Sequence, residues 1–355
     1  MTVRTTKKGE NVRNQIVSLF HNDSMLSFKE IYKSIGQNLE LSEASIRNYL
    51  QQLLSQKILF SKKKGKFLMY GLSLNVEIEH SFSLKDSNLT EDYVWRTYLS
   101  DSITKANKAA KEILDYAFSE MFNNVLSHSN ASKVTVKLIE DVMKTYIVVE
   151  DNGIGIFKKI KNDLSLQDEH QSLLELAKGK FTSNPKEHSG EGIFFSSRAC
   201  DLFLIHSGSL TYSLDSNSDI GKFIETDKGA EDEHSAGTIA LIGIRHNTKK
   251  SLKSVWDKYI VSTENRSVSK TVVPVKLLRY KDEGIISRSQ AKSLLARFDK
   301  FKYVVLDFSG IDDIGQAFAD EIFRVYVNSH PEIEISYIEA NKSIKNMIDH
   351  VSVNR

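Results

Sequence analysis

Cysteine occurs once in the 355 residues, at Cys200. A lone thiol makes neither an internal disulfide nor a cysteine-based zinc cluster, so a reducing compartment, the cytoplasm, is the expected location. Proline occurs three times, at Pro185, Pro274 and Pro331, so no proline-rich linker marks a domain boundary. No apolar run approaches the roughly 18 residues of a membrane span. The opening run MTVRTTKKGE lacks the apolar core of a signal peptide. Secreted, membrane and disulfide-scaffold classes are therefore not expected. Net charge is also small: 48 Lys+Arg against 46 Asp+Glu leave +2, which argues against a uniformly basic nucleic-acid binder. There are no internal repeats.

What is present is a globular composition, 40% hydrophobic and 26% charged, and a length that suggests two or three domains at about 150 residues each. The charge is unevenly spread. Residues 1–75 carry 12 Lys+Arg against 5 Asp+Glu, a net of +7, and the remaining 280 carry 36 against 41, a net of −5. Such asymmetry points to an anionic partner at one end, a solvated basic face being the plainer reading. The polar stretches 157–190 and 214–236 are expected to be mobile loops.

In residues 1–75, Val12, Ile16, Val17 and Phe20 have helical spacing. Ser27 and Glu30 form a capping-box pattern that opens a second helix. Ser42 can cap a third helix through Gln56, with Ile46, Tyr49, Leu50 and Leu53 turned inward. Residues 58–60 and 67–70 then read as strands joined by the basic loop 61–66. Three helices and a basic-tipped hairpin resemble a winged helix-turn-helix. The resemblance implies DNA as partner, with Ser45, Arg47, Asn48 and Gln51 on the exposed side of the third helix and Lys62, Lys63, Lys64 and Lys66 against backbone phosphate. A winged helix used only for protein contacts is the alternative.

Further along, Leu114, Phe118, Met121 and Val125 form the buried stripe of a helix over 106–129, and Glu120, Asn124 and His128 form a polar stripe on the same helix. Apolar strands at 134–139 and 145–149 lead into Asp151-Asn152-Gly153-Ile154-Gly155. A carboxylate at a strand end beside two residues without Cβ lets backbone approach a flat ligand. Ser189-Gly190-Glu191-Gly192 opens a second helix through Ala199, and glycines at a helix start offer free N–H groups to phosphate. Gly237-Thr238 begins a strand over 239–244.

Any one of these pieces is weak; the four in this order resemble the GHKL ATPases over roughly residues 95–245, most closely the histidine-kinase-like and anti-sigma-factor kinase branch. The resemblance implies ATP and Mg2+ as cofactors. It implies Asn124 as a Mg2+ ligand and Glu120 as the group that orients or deprotonates the attacking nucleophile. Asp151 would accept the adenine amino group, with Gly153 and Gly155 beside the ring and Thr238 supporting the carboxylate. Gly190 and Gly192 would hold phosphate, residues 157–189 would form a lid, and Lys178 or Lys180 would reach a phosphate. His128 is either a structural or a ligand-facing group. Glu191 lies between the two glycines, where a carboxylate would repel phosphate, so it is expected to point to solvent.

In the last 85 residues, strands and helices alternate, giving a small α/β sandwich. The run Val304-Val305-Leu306-Asp307-Phe308-Ser309-Gly310-Ile311-Asp312-Asp313-Ile314-Gly315-Gln316-Ala317-Phe318 resembles a STAS-like domain. In its antagonist relatives a serine accepts phosphate where this chain has Gly315-Gln316-Ala317, so a docking or sensing module is expected, with a protein partner. Ser309 is read as satisfying local backbone groups in a turn, and Ser287 and Ser289 as helix caps. Two of Asp312, Asp313, Asp320 and Glu321 are read as complementing the helix start.

The expected fold class is thus α+β multidomain: a winged helix over 1–75, a GHKL Bergerat-type α/β sandwich over 76–250 and a small STAS-like α/β domain over 268–355. The expected function is an ATP-binding, slowly ATP-hydrolysing, DNA-binding regulatory switch without a membrane partner; a homodimer is left open. The alternatives are a serine kinase acting on a separate partner and a nucleotide-binding scaffold without turnover.

Overall fold

In the computed structural model, which describes residues 7–20, 25–180, 190–215, 222–225, 237–260, 269–279 and 284–352, the chain is a mixed α+β molecule of two units. One comprises Met1–Glu77 with Ile139–Thr145, the other Ile78–Leu138 with Tyr146–Arg355. Among the described residues no helix is long and apolar enough to cross a membrane.

The first unit holds helix α1 (Lys7–Ser18), strand β1 (Leu26–Ser27), helix α2 (Phe28–Ile31), which runs on through a wider-wound turn at Tyr32–Gly36, helix α3 (Glu43–Ser55), and strands β2 (Leu59–Lys64) and β3 (Phe67–Leu72). The expected caps are present. Ser27 accepts the Glu30 amide while the Glu30 carboxylate takes the Ser27 amide, and Ser42 accepts the Ser45 amide. Each capping bond occupies a helix-end donor that would otherwise lack a partner. Val12, Ile16, Phe20, Ile31, Ile35, Ile46, Leu50 and Leu53 close one core. Tyr49, expected to face inward, is only half-buried. The three-stranded sheet has the order β1-β3-β2.

The basic segment differs from expectation. Pairing continues from Leu59 opposite Leu72 out to Lys64 opposite Phe67, so Lys62, Lys63 and Lys64 belong to a strand, and only Gly65 and Lys66 turn. Gly65 has φ +61°, the positive value that a two-residue hairpin turn demands.

The second unit holds most of β4 (Asn75–Ser83), then α4 (Glu91–Val94), α5 (Lys108–His128) and most of β5 (Lys133–Glu140) and β6 (Lys144–Asp151). Next come α6 (Ile156–Leu164), α7 (His170–Lys178), α8 (Gly192–Ala199), β7 (Leu202–Ser207), β8 (Leu210–Asp215), β9 (Lys222–Glu225), β10 (Ile239–Arg245) and α9 (Leu252–Tyr259). The strands form one sheet in the order β4-β5-β6-β10-β7-β8-β9. Asn107 caps α5 by accepting the Ala110 amide at 2.8 Å. The helix buries Leu114, Phe118, Met121 and Val125, the stripe its spacing predicts, together with Ile113 and Phe122. Cys200, just past α8, is buried, and burial pushes its thiol pKa up.

The stretch 157–190, expected to be a mobile loop, carries α6 and α7. Their Phe157, Ile160, Leu173, Leu174 and Leu176 enter the core, and that gain outweighs the polar composition of the segment. Residues 181–189 of the expected lid, with Ser189 of the glycine motif, lie outside the described residues, as do 216–221 and 226–236 of the second expected loop.

The chain ends in β11 (Lys270–Pro274), α10 (Arg288–Leu295), β12 (Tyr303–Asp307), α11 (Gln316–Asp320), which continues through Glu321–Tyr326 into α12 (Val327–Ser329), then β13 (Glu334–Ile338) and α13 (Lys342–Ser352). Strands β11, β12 and β13 are parallel and adjacent in that order, so each connection must cross over, and the helices between them do so. Ser287 caps α10 in a reciprocal pair with Gln290. Ser289 bonds the Ser287 hydroxyl at 2.9 Å. Phe194, Tyr259, Val273, Phe298 and Phe308 belong to one continuous core, which joins this three-stranded sheet to the seven-stranded one.

Candidate functional site

Strand β6 ends by delivering Asp151 to a cavity of about 310 Å³, within the range of small-ligand sites. The carboxylate is 7% exposed. Its Oδ1 accepts the Gly153 amide at 2.7 Å, and the Asp151 amide donates to the Thr238 carbonyl at 2.9 Å. Thr238 Oγ1 in turn accepts the Ile156 amide at 3.1 Å. Burial raises the Asp151 pKa above the ordinary carboxylate value, and the bonds from Gly153 and Thr238 oppose that rise. The walls around it are apolar, from Val149, Ile154, Ile156, Ile160, Ile205 and Ala240. One buried carboxyl in such a setting can orient a flat ring by its polar edge.

Two glycines shape this floor. A Cβ on Gly153 would overlap the Ser129 carbonyl oxygen, which accepts the Ile154 amide at 2.8 Å. Gly155 has φ +83°, and a Cβ there would run into Ser207 Oγ.

Helix α5 supplies the opposite side. Glu120, Asn124 and His128 all line the cavity, as successive rungs of one helical face. Tyr116, one turn before Glu120, hydrogen-bonds its carboxylate; burial first, then that carboxylate, pushes the Tyr116 hydroxyl pKa far up. Gly190 and Gly192 bring the start of α8 to the same cavity.

The cavity therefore gathers Glu120, Asn124, Asp151, Gly155, Gly190, Gly192 and Thr238, with His128. Gly153 lies beneath Asp151 and does not line it. Lys180 does not line it either: its Nζ donates to the Lys300 carbonyl at 2.8 Å. Lys178, the other expected phosphate contact, is fully buried, and its Nζ donates to Glu175 Oε1 at 2.6 Å. Glu191, expected to point to solvent, is 7% exposed. The carboxylate attracts the half-buried Lys180, opposing the fall in that lysine's pKa that burial causes.

Sequence reading missed Lys159 and Asp163, which line the cavity and pair through both carboxylate oxygens at 2.8 Å. A Lys and an Asp four apart look like any surface pair, so no local signal marked them. In the other unit, Arg47, Asn48, Gln51, Lys62, Lys63, Lys64 and Lys66 are all exposed, while Ser45 is half-buried. The Arg47 guanidinium stacks 3.6 Å from the Phe28 ring centroid of α2 and pairs with Glu43 one turn earlier on α3 at 3.3 Å.

A segment of the C-terminal region, which includes β12 and β13 but not β11, matches a family model. That model, described as a STAS-like domain of unknown function (DUF4325), matches residues 290–345. No curated protein matches the chain. The STAS-like segment opens α11 with Gln316, after Gly315 as N-cap. Ser309 donates its hydroxyl to Asp307 Oδ1 at 2.7 Å and its amide to the same atom at 2.9 Å, so its partner is a carboxylate where local backbone was expected. Asp320 sits at the end of α11 and bonds Arg324 at 2.5 Å, so it does not complement the start of that helix.

Proposed function

We propose that the protein is an ATP-binding regulatory switch of GHKL type that also binds DNA. The observation that carries the reading is Asp151: a buried carboxyl at the end of β6, seated over glycines in an apolar cavity, facing Glu120 and Asn124. An ionised Asp151 accepts the exocyclic amine of adenine, and Thr238 fixes the backbone on which it sits. The apolar walls exclude water from the ring.

The donor chemistry also fits a magnesium-bound polyphosphate. Asn124 offers a hard amide oxygen, and among the described residues no cluster of three or more His, Cys, Asp or Glu could hold a metal alone. Mg2+ would draw its other ligands from phosphate and water and would neutralise charge on the phosphates. Gly190 and Gly192 line the cavity at the start of α8, where backbone amides would meet anionic oxygens. Glu120, steadied by Tyr116, orients the attacking water for slow hydrolysis.

The first unit supplies the DNA contact, as a winged helix with Arg47, Asn48 and Gln51 toward bases and Lys62, Lys63, Lys64 and Lys66 toward phosphates. The STAS-like segment supplies a docking surface for a protein partner. A lone buried cysteine suits action in the cytoplasm.

Isothermal titration with Mg-ATP, followed by partition of label from ATP, tests the reading. Saturable binding with label released as free phosphate is expected. Absence of binding refutes it, and label passing to a protein partner replaces the hydrolytic switch with a serine kinase.

A further inference from the structure

Helix α7 ends on groups that come from the STAS-like side of the chain. The Lys178 carbonyl accepts the Thr271 hydroxyl at 2.8 Å. The Gly179 and Lys180 carbonyls accept Arg297 Nη2 at 3.2 Å and 2.5 Å. Lys178 is the last residue of α7, and Gly179 and Lys180 follow it; carbonyls at and beyond a helix end have no intrahelical donor, and these bonds supply one. Side chains reinforce them. Arg297 Nη1 meets Glu175 Oε2 at 2.6 Å, and Lys178 Nζ, besides holding the other oxygen of Glu175, donates to the Ser293 and Ala296 carbonyls at 3.1 Å and 3.0 Å.

Arg297 has φ +65°, a left-handed conformation that side-chain-bearing residues avoid. Such strain persists where the surroundings over-determine it, and here each branch of the guanidinium fork is occupied by α7. The same helix end faces the cavity, through Leu176 and Gly179.

We infer that Arg297 is a positioning residue of the cavity: the STAS-like segment sets the wall built by Leu176 and Gly179, and ligand affinity in the cavity depends on that grip. The inference rests on the nucleotide reading for the identity of the ligand. It makes the STAS-like segment part of the nucleotide site's support. Coupling of this kind is reciprocal, so a ligand in the cavity tightens the grip by the same factor. Burial lowers the Lys178 pKa, opposed by Glu175, so the grip is sensitive to loss of that one carboxylate.

The test uses the full chain and the affinity for Mg-ATP, with the melting temperature of the ligand-free chain measured in parallel. Arg297→Ala is expected to weaken binding by about 5- to 150-fold, the usual span of such couplings. Arg297→Lys keeps the charge without the fork and should fall between it and wild type. If Arg297→Ala does not fold, Arg297→Gln, which fills more of the volume and leaves Glu175 paired with Lys178, carries the same comparison. A lowered melting temperature with wild-type affinity in the folded variant overturns the positioning role and leaves the nucleotide reading standing. Failure of the wild-type chain itself to bind Mg-ATP overturns the nucleotide reading, and the role of Arg297 with it.

Discussion

Gly192 and Glu120 meet with no room for a side chain between them: a Cβ on the glycine would overlap Oε2 of the carboxylate. The start of α8 and the middle of α5 are thus fitted to one another at the cavity. Gly192→Ala should displace Glu120 and reduce turnover together with nucleotide affinity. Glu120→Gln keeps the volume and should leave affinity nearly intact while slowing hydrolysis by about 10²- to 10⁴-fold. Phosphate-release assays alongside titration separate the two variants; equal turnover in Glu120→Gln and wild type removes Glu120 from the chemistry.

Asp151→Asn replaces the acceptor facing the ligand with an amide, which offers a donor to a donor. A loss of about 1–3 kcal/mol in Mg-ATP binding is expected, read by titration calorimetry. The substitution also changes the pH dependence of stability. The folded pKa of Asp151 is raised, chiefly by burial. Its contribution to stability is therefore full below the unfolded value, about 3.9, and is lost as pH rises through the folded one. Urea midpoints across that acidic window should decline less with rising pH in Asp151→Asn than in wild type. Parallel curves for the two would show that Asp151 does not titrate differently on folding.

Changing Lys62, Lys63, Lys64 and Lys66 together to Ala should weaken DNA binding by a similar factor on every sequence. Its salt dependence should flatten, by about 0.9 in the log–log slope for each duplex phosphate that the chain no longer neutralises. Fluorescence anisotropy at several salt concentrations measures both. If the wild-type chain binds no DNA at low salt, the exposed lysines serve another partner.

Incubation with Mg-ATP should add no phosphate to residues 309–329. Gln316 stands where an acceptor serine would, and the Ser309 hydroxyl is engaged by Asp307. Intact-mass spectrometry decides this, and one added phosphate per chain in that segment would reverse the assignment of the segment as a docking module.

The parts legible in the sequence were those with local causes. Ser27 with Glu30, and Ser42, cap the helices they were expected to cap, because a cap acts within three residues. The stripe from Leu114 to Val125 predicted the buried face of α5, because periodicity of one helix is a local record of burial. Asp151, Gly155, Gly192 and Thr238 come from separate elements, yet their order along the chain sufficed to bring them together on paper, and the cavity contains them all. What could not be read depended on distant partners. Lys178 looks like any lid lysine until the carbonyls of Ser293 and Ala296 are placed around it. Glu191 looks solvent-bound until Lys180 is set nearby. The lysine run 62–64 looks like a loop by composition, and only pairing with β3 makes it a strand.

The burial of Cys200 has a practical side. Its thiol is 2% exposed and burial holds it in the protonated form, which reacts slowly with maleimides. The natural chain is therefore already a quiet background for site-specific labelling. A pair of introduced cysteines, one on the exposed turn at Lys66 and one on the exposed face of α13, could carry a donor and an acceptor dye without first removing the native residue. Energy transfer between them would report directly whether nucleotide alters the spacing of the chain's two ends.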